Sequence, residues 1–397
     1  MQSPQLFRCV EATCRFVRLA IRPAAYVVGA PAGIDSGSDG FQDSSTWQGD
    51  MTRYRRVAIL GGGIAGMLCA AVFARHGIRP LCVDKPDPRR PQLSHVHFFD
   101  RLTWEGLERL LPGLESCLRR AGVALGDESS YSFEDAAVRN LRPLPDIMEL
   151  DQAIRRVTGP LLDRRGDLSG VRFHETSWRL QFGAVEEVET PLLIDASGLA
   201  RASFIPVSAI AGRSLPVDSG PATSAYVTQL FRGVVLRDGQ LGFRVRNSGG
   251  LGALLSRMGE GLCRLTLQLP PGEKMPGNTE GVVRLIQRLD DVRVATALDQ
   301  ALAVGVPIPS GARRAETVAL DGIGCLPDGW LVVGDALVST APYLGWGLAQ
   351  IVEQGLAIDD GLASGKPIPV VRNTLTELAR HRWREATTRD ALITLGV

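Results

Sequence analysis

Three glycines stand at the spacing Gly61-x-Gly63-x-x-Gly66, directly after the apolar run Val57-Ala58-Ile59-Leu60 and before an alanine-rich stretch from Ile64 to His76 that closes on Gly77. In a strand-to-helix turn each glycine has separate work. The first permits the tight turn, the second brings bare backbone against a pyrophosphate, and the third lets the helix pack on the strand. The first helical turn, with Ile64 and Ala65, presents unpaired N–H groups and the positive end of the helix dipole to phosphates. About twenty residues further on, Asp84 ends a second apolar run, the place of an acid that binds a ribose hydroxyl; an ordinary strand-end acid is the alternative. Lys85 lies beside it and joins the candidate contacts. No second fingerprint of this kind occurs, so one resident dinucleotide is expected.

A second constellation lies far along the chain. Gly334-Asp335-Ala336-Leu337 ends another apolar run, and Pro342-Tyr343-Leu344-Gly345-Trp346-Gly347-Leu348 leads into a helical pattern. A carboxylate at that strand end can bind a ribityl hydroxyl. The amides of Gly345 and Gly347 open a helix toward whatever lies above them, and for a flavin that is the edge where negative charge gathers on reduction. A plain strand-to-helix turn with a capping acid is the competing reading.

The histidines give weaker signals. His95 and His97 alternate, so one side of a strand can present both to a cofactor or substrate, or they form an ordinary polar loop. A metal site would need a third ligand that the sequence does not place, so no metal is expected. His76, before the helix-ending Gly77, reads as a C-terminal cap, while His174 and His381 show no partner. Arg201, three residues past Gly198, either meets a phosphate or is solvated. Cys69 and Cys82 fall inside apolar segments, where reduced thiols behave as small hydrophobes, and free cysteines suit a cytoplasmic location.

Elements that position these residues follow from periodicity. Val57 to Leu60, Ile78 to Asp84, Pro191 to Asp195 and Trp330 to Val333 read as buried strands of a parallel sheet, with the fingerprint between the first and its helix. Leu102 to Ala121 reads as a helix broken near Pro112, and Leu348 to Leu362 as a helix ending before Gly365. Alternating stretches between Thr223 and Leu269 indicate antiparallel strands of a different sheet. The fold class is therefore α/β, a Rossmann-like parallel-sheet domain interleaved with a smaller substrate domain on an antiparallel sheet. Its expected boundaries are 51–94, 141–204 and 318–365 for the cofactor domain, 95–140 and 205–317 for the substrate domain, and 366–397 for a C-terminal helical segment. Residues 1–50 lack periodicity and are expected to be a disordered tail, a targeting peptide or an extension upstream of a start at Met51.

The 397 residues carry 44 basic and 43 acidic side chains for a net charge of +1, which argues against nucleic-acid or membrane-surface binding. No apolar run reaches the ~20 residues that span a bilayer.

Together, Gly61-x-Gly63-x-x-Gly66, Asp195-Ala-Ser-Gly198, and Gly334-Asp335 followed by Pro342 and Gly345-x-Gly347 resemble the FAD-dependent monooxygenases of the para-hydroxybenzoate hydroxylase superfamily. The likeness is to a bacterial branch of polyether epoxidases and halogenase-like tailoring enzymes, and Gln92-Leu-Ser-His95-Val-His97 resembles that branch's segment after the second strand. It covers residues 54–365 and is vague between 205 and 315. The resemblance implies FAD held by the fingerprint at its ADP half, by Asp84 at the adenosine ribose and by Asp335 at the ribityl chain, with Asp195, Gly198 and Leu348 among the flanking contacts. It implies hydroxylation or epoxidation of an apolar small molecule through a flavin hydroperoxide, with O₂ as co-substrate and electrons from NAD(P)H or a separate reductase.

Departures weaken phenol hydroxylation. Val338 and Ala349 stand where many aromatic hydroxylases have His and Asn, and the arginine common in the helix after the first crossing has no clear counterpart around Asp146 to Ile154. Trp346 is an unusual bulk between two glycines, expected either to lean on the flavin or wall the substrate cavity, or to turn into the interdomain core. A halogenase would need a lysine beside the flavin, and the three lysines are Lys85, Lys274 and Lys366. A non-oxygenating reductase or dehydrogenase and a noncatalytic FAD-binding protein are the remaining alternatives.

Overall fold

The computed structural model describes residues 54–84, 95–96, 99–123, 125, 131–133, 141–142, 147–161, 163–166, 168–222, 224–311, 314–340 and 346–394. The segment 1–50, Lys85, His97, Pro342 and Gly345 fall outside the described residues.

A five-stranded parallel sheet forms the centre, in the order Trp330–Val332, Leu192–Asp195, Arg56–Leu60, Arg79–Val83, Asp163–Arg165. Its middle strands are buried almost end to end because both faces are covered. On one face lies the helix Ile64–Arg75, apolar all round, with nine buried residues, packed by the helices Ile147–Thr158, Arg101–Leu110 and Trp346–Ala363. An antiparallel meander of Leu168–His174, Ser177–Phe182 and Glu186–Thr190 also joins this core. Its middle strand buries Trp178, Leu180 and Phe182 at every second position, and the Trp178 indole N–H donates to the Gly329 carbonyl at 2.8 Å.

The second core belongs to a six-stranded sheet ordered Leu302–Ser310, Ala225–Arg232, Leu262–Leu269, Gly252–Arg257, Gly242–Arg246, Tyr131–Phe133. All its pairings are antiparallel except the last. Val227, Phe231, Leu265, Leu267 and Leu255 pack against Val282, Leu285 and Val294 of the helices Thr279–Leu289 and Val292–Leu298. Asn278 and Asp291 cap those helices through their side chains. Two separate apolar clusters, one on a parallel and one on an antiparallel sheet, give the interleaved α/β class expected from the periodicity.

A small sheet of Val217–Ala222, Arg314–Val318 and Val338–Ser339 joins the two bodies. The long helix Ile368–Thr394 packs along it and along Trp330–Val332, with Arg372 donating to the Pro327 and Trp330 carbonyls (2.7 and 3.3 Å). At the far ends of the cofactor-domain helices, Asp359 pairs with Arg75 at 2.6 Å and His76 at 2.9 Å, so His76 is both the helix C-cap and an ion-pair partner. Burial raises the Asp359 carboxyl, but the hydrogen bonds and charges of Arg75 and His76 outweigh it and hold the group below the usual carboxylate range.

Candidate functional site

Three loops leave the carboxyl ends of three adjacent strands, because Leu60 pairs with Asp195 and Asp195 with Val332. The chain runs from Arg56–Leu60 to Arg79–Val83 on one side and places Leu192–Asp195 on the other, so a crevice opens at the reversal of strand order, where open α/β sheets bind ligands. Gly61 sits in it at φ +105°, and a Cβ there would lie 2.4 Å from the Ala196 carbonyl oxygen. A Cβ on Gly66 would lie 1.9 Å from the Gly61 oxygen, which is the close helix-on-strand approach that the third glycine serves. Gly63 differs: it begins the helix without a side-chain cap, and a Cβ on it would meet none of the described residues within 4 Å. The helix start at Gly63 thus has none of the described residues in front of it.

The other two loops close on the first. A Cβ on Gly334, at φ +62°, would lie 2.9 Å from the Ala65 Cβ, and the Asp335 Cβ is 4.0 Å from where a Cβ on Gly198 would stand. Asp335 itself is half-buried. Asp195 is fully buried, and its carboxylate accepts from the amides of Ser197 (3.0 Å) and Ser203 (2.8 Å) and from their hydroxyls (2.6 and 2.7 Å). It therefore acts on the crevice through the loop it shapes, and Ser203 passes the tie on by accepting from the Trp330 indole at 2.9 Å.

At the other end, the Asp84 carboxylate accepts from the Gly62 amide at 3.2 Å. Arg155 lies 3.6 Å from Asp84, is held by Asp151 at 2.7 Å and donates to the Gly62 carbonyl. The helix Ile147–Thr158 thus does bring an arginine to the fingerprint, one residue beyond the stretch in which the sequence offered no counterpart. Arg201 is neither solvated nor free for a phosphate: at φ +44° it reaches Glu316 (2.8 Å) and the Ala336 carbonyl (3.3 Å), tying the Gly198 loop to the joining sheet and the Asp335 turn.

Two residues here escaped sequence reasoning. Gln350 and Gln354, one helical turn apart on the buried stripe of Trp346–Ala363, hold the Gly334–Ser339 segment: the Gln350 amide donates to the Val338 carbonyl (2.8 Å), and the Gln354 carbonyl accepts from the Gly334 amide (2.6 Å). Their signal was glutamine where helical spacing calls for apolar residues. Half-buried Trp346 turns one ring face to Arg382 of the C-terminal helix, whose guanidinium carbon is 5.8 Å from the ring centroid. Leu348 is buried, and half-buried Gly347 has none of the described residues within 4 Å of an added Cβ.

His95 is buried against the inner face of the six-stranded sheet, the face turned from its helices. Its Nδ1 is 2.7 Å from the Thr228 hydroxyl, which is 2.7 Å from the Thr266 hydroxyl. Tyr226, Arg264, Gln268 and Ser256 lie on the same face and are buried. Arg264 donates to the His95 carbonyl at 3.2 Å and reaches Met148 at the start of the Ile147–Thr158 helix. This polar face therefore confronts the cofactor domain.

The donor set fits an adenine dinucleotide with a ribityl chain. Among the described residues the glycine cradle leaves space in front of Gly63, acids stand at both ends, and the Thr340 hydroxyl and Gln350 carbonyl oxygen are buried without a hydrogen-bond partner near the third loop. Among the described residues no helix is long and apolar enough to cross a membrane, and no cluster of three metal-ligating side chains occurs. Burial pushes the Cys69 and Cys263 thiols up to about 12 and about 11, as inert core residues.

No protein-family model matches the chain, and no curated protein matches it. Solved structures do. The fold is that of flavin-dependent halogenases and related flavoproteins. Halogenase PltM in complex with phloroglucinol and FAD aligns at TM-score 0.62 and 16% identity, over 86% of this chain and 76% of that one. A flavoprotein/dehydrogenase from Cytophaga hutchinsonii aligns at TM-score 0.66 and 14% identity, over 86% of both chains. The peptidyl tryptophan dihydroxylase QhpG, essential for tryptophylquinone cofactor biogenesis, aligns at TM-score 0.55 and 18% identity, over 86% and 74%.

Proposed function

We propose that this chain is an FAD-dependent oxidoreductase, and specifically a monooxygenase that hydroxylates or epoxidises a small molecule lying between the two sheets. The observation that carries the reading is the convergence of the Gly61–Gly66 turn, the Gly198 loop and the Gly334–Asp335 turn at one crevice; the polar face of the second sheet meets the Ile147–Thr158 helix at Met148. Gly61, Gly63 and Gly66 with the first helical turn would take the pyrophosphate, Asp84 the adenosine ribose and Asp335 the ribityl chain. Arg155 braces the fingerprint by holding both Asp84 and the Gly62 carbonyl. When bound, the flavin supplies two-electron redox chemistry and the activation of O₂. The protein's share is to bind, to orient and to exclude water. Gln350 and Gln354 fix the Asp335 segment, and the face of the second sheet that carries Tyr226, Thr228, Thr266 and Gln268 is buried and polar. Such a face suits a substrate with an apolar body and oxygen groups better than a wholly apolar one. Electrons come from NAD(P)H visiting transiently or from a separate reductase.

Oxygen uptake by the FAD-loaded protein, with NAD(P)H or a flavin reductase, tests this. Uptake that rises with an aromatic or olefinic substrate and yields an oxygenated product is expected; turnover with a dye acceptor but not with O₂ favours a dehydrogenase. The likeness to PltM keeps halogenation as a second reading. Lys274 and Lys366 are both exposed, so a lysine beside the flavin would have to be Lys85. Bromide incorporation, followed by mass spectrometry in the same assay, separates the two.

A further inference from the structure

Arg201 has a left-handed backbone, φ +44° and ψ 53°, a conformation that glycine and asparagine adopt and long side chains rarely do. Strain of this kind persists where the surrounding contacts over-determine it. Here the Arg201 amide donates to the Gly198 carbonyl at 3.0 Å, the Arg201 carbonyl accepts from the Phe204 amide at 2.9 Å, and the guanidinium carbon lies 5.6 Å from the centre of the Phe204 ring. The side chain then leaves its own loop in two directions. Nε donates to the Ala336 carbonyl at 3.3 Å, and Nη2 donates to the Glu316 carboxylate at 2.8 Å. A planar fork with one partner on each of two nitrogens is held in one orientation.

Those two partners belong to different parts of the molecule. Ala336 ends the short turn Gly334–Ala336 that carries Asp335, and Gln354 and Gln350 hold the same segment at the Gly334 amide and the Val338 carbonyl. Glu316 stands in Arg314–Val318, the middle strand of the joining sheet, opposite Ser339. The helix Trp346–Ala363 therefore steadies the Asp335 segment from one side through neutral glutamines, while Arg201 brings a charged contact to it from the joining sheet. We propose that Arg201, oriented by Glu316, is a positioning residue for the ribityl end of the cofactor: it sets the Asp335 turn, so that Glu316 governs FAD affinity through it. Binding to a site whose supporting contacts are loosened has to order them again, which costs affinity. The assignment rests on reading the crevice as the FAD site with Asp335 at the ribityl chain.

Titration of the flavin-stripped, full-length protein with FAD and with ADP, alongside urea unfolding of each variant, carries the test. In Arg201→Asn the side chain tolerates the left-handed backbone, so the loop keeps its path while the guanidinium is lost. Glu316→Gln keeps the shape and removes the charge. Arg201→Asn is expected to weaken FAD about tenfold and Glu316→Gln about threefold, and the effect of Glu316→Gln is expected to vanish when both are combined, a coupling within the range for residues in contact. ADP, read by competition with FAD, lacks the ribityl chain and is expected to bind wild type and variants alike, which a general loosening of the fold would not allow. FAD affinity unchanged in Arg201→Asn, losses that simply multiply in the double variant, ADP weakened as much as FAD, or ADP that does not compete in the wild type overturns the assignment. If Arg201→Asn does not fold, Arg201→Lys takes its place, because a point charge beside Glu316 cannot also hold the Ala336 carbonyl in the geometry of the fork; unchanged FAD affinity there overturns the assignment equally. Folded wild type that binds no FAD refutes the flavin reading and this assignment with it, whereas wild type that binds FAD while the Arg201 variants lose none refutes the assignment alone.

Discussion

Two glycines three residues apart should respond to the same methyl group in opposite ways. Gly66→Ala places a Cβ 1.9 Å from the Gly61 carbonyl oxygen, backbone against backbone, where a contact needs more than 3 Å. The helix must move off the strand, and such overpacking costs about 1–3 kcal/mol or more with no ligand present. Gly63→Ala meets none of the described residues within 4 Å, and the residue has φ −74° and ψ −178°, which alanine adopts freely. The entropy lost by the unfolded chain is worth about 0.4–1 kcal/mol in its favour, set against a slightly poorer N-cap, so stability should stay within about 1 kcal/mol. If a pyrophosphate occupies the space in front of Gly63, the same methyl displaces it from the helix amides. Losing one hydrogen bond to a charged group, about 1.5–3 kcal/mol, weakens FAD roughly ten- to more than a hundredfold. Urea unfolding of the flavin-stripped variants and titration with FAD separate the effects. Gly63→Ala that binds FAD like wild type, or that unfolds as readily as Gly66→Ala, would refute the placement of the phosphates.

Asp335→Ala should weaken FAD by about 1.5–3 kcal/mol, the worth of a hydrogen bond to a charged group; isothermal titration reads the change, and unchanged affinity gives the strand-end acid another role. Asp359→Asn should destabilise by about 1–3 kcal/mol near neutral pH by leaving Arg75 and His76 without their carboxylate. Because the Asp359 carboxyl is held below its ordinary value of about 4, its contribution is full above that value and lost as pH falls through the lower folded value. The gap between wild type and variant in thermal melts should therefore close below about pH 4, and a gap that widens on acidification contradicts the pairing. Trp346→Ala should cost less than the about 3–5 kcal/mol of a fully buried aromatic, since the indole is half-buried under Arg382; a loss in that range by urea unfolding puts the ring in the core.

What the sequence made legible was local. The fingerprint, Asp84 and the Gly334–Asp335 turn each lie within one strand-turn-helix unit, so spacing alone placed them at strand ends. Arg155 was hidden because its role depends on how the Ile147–Thr158 helix is laid across Gly62 and Asp84, which no local spacing encodes. Asp195 shows the converse: its position at a strand end read as a cofactor contact, but four hydrogen bonds to Ser197 and Ser203 turn it inward. The Thr228–Thr266 pair is a register match between two strands, and its partner His95 comes from far upstream, so the chain of hydroxyls exists only once the sheet is assembled. Ser177–Phe182 alternates Trp178, Leu180 and Phe182 with polar residues, a strand pattern that went unread in the sequence.

The central claim is that the crevice holds FAD. The direct measurement is release of the cofactor from the purified full-length protein by denaturation, with chromatography and mass analysis of what comes off, followed by reconstitution of stripped protein. FAD at about one per chain, regained on reconstitution and bound more weakly by Gly63→Ala, is expected. FMN, NAD, or no bound flavin after reconstitution with FAD would contradict the account.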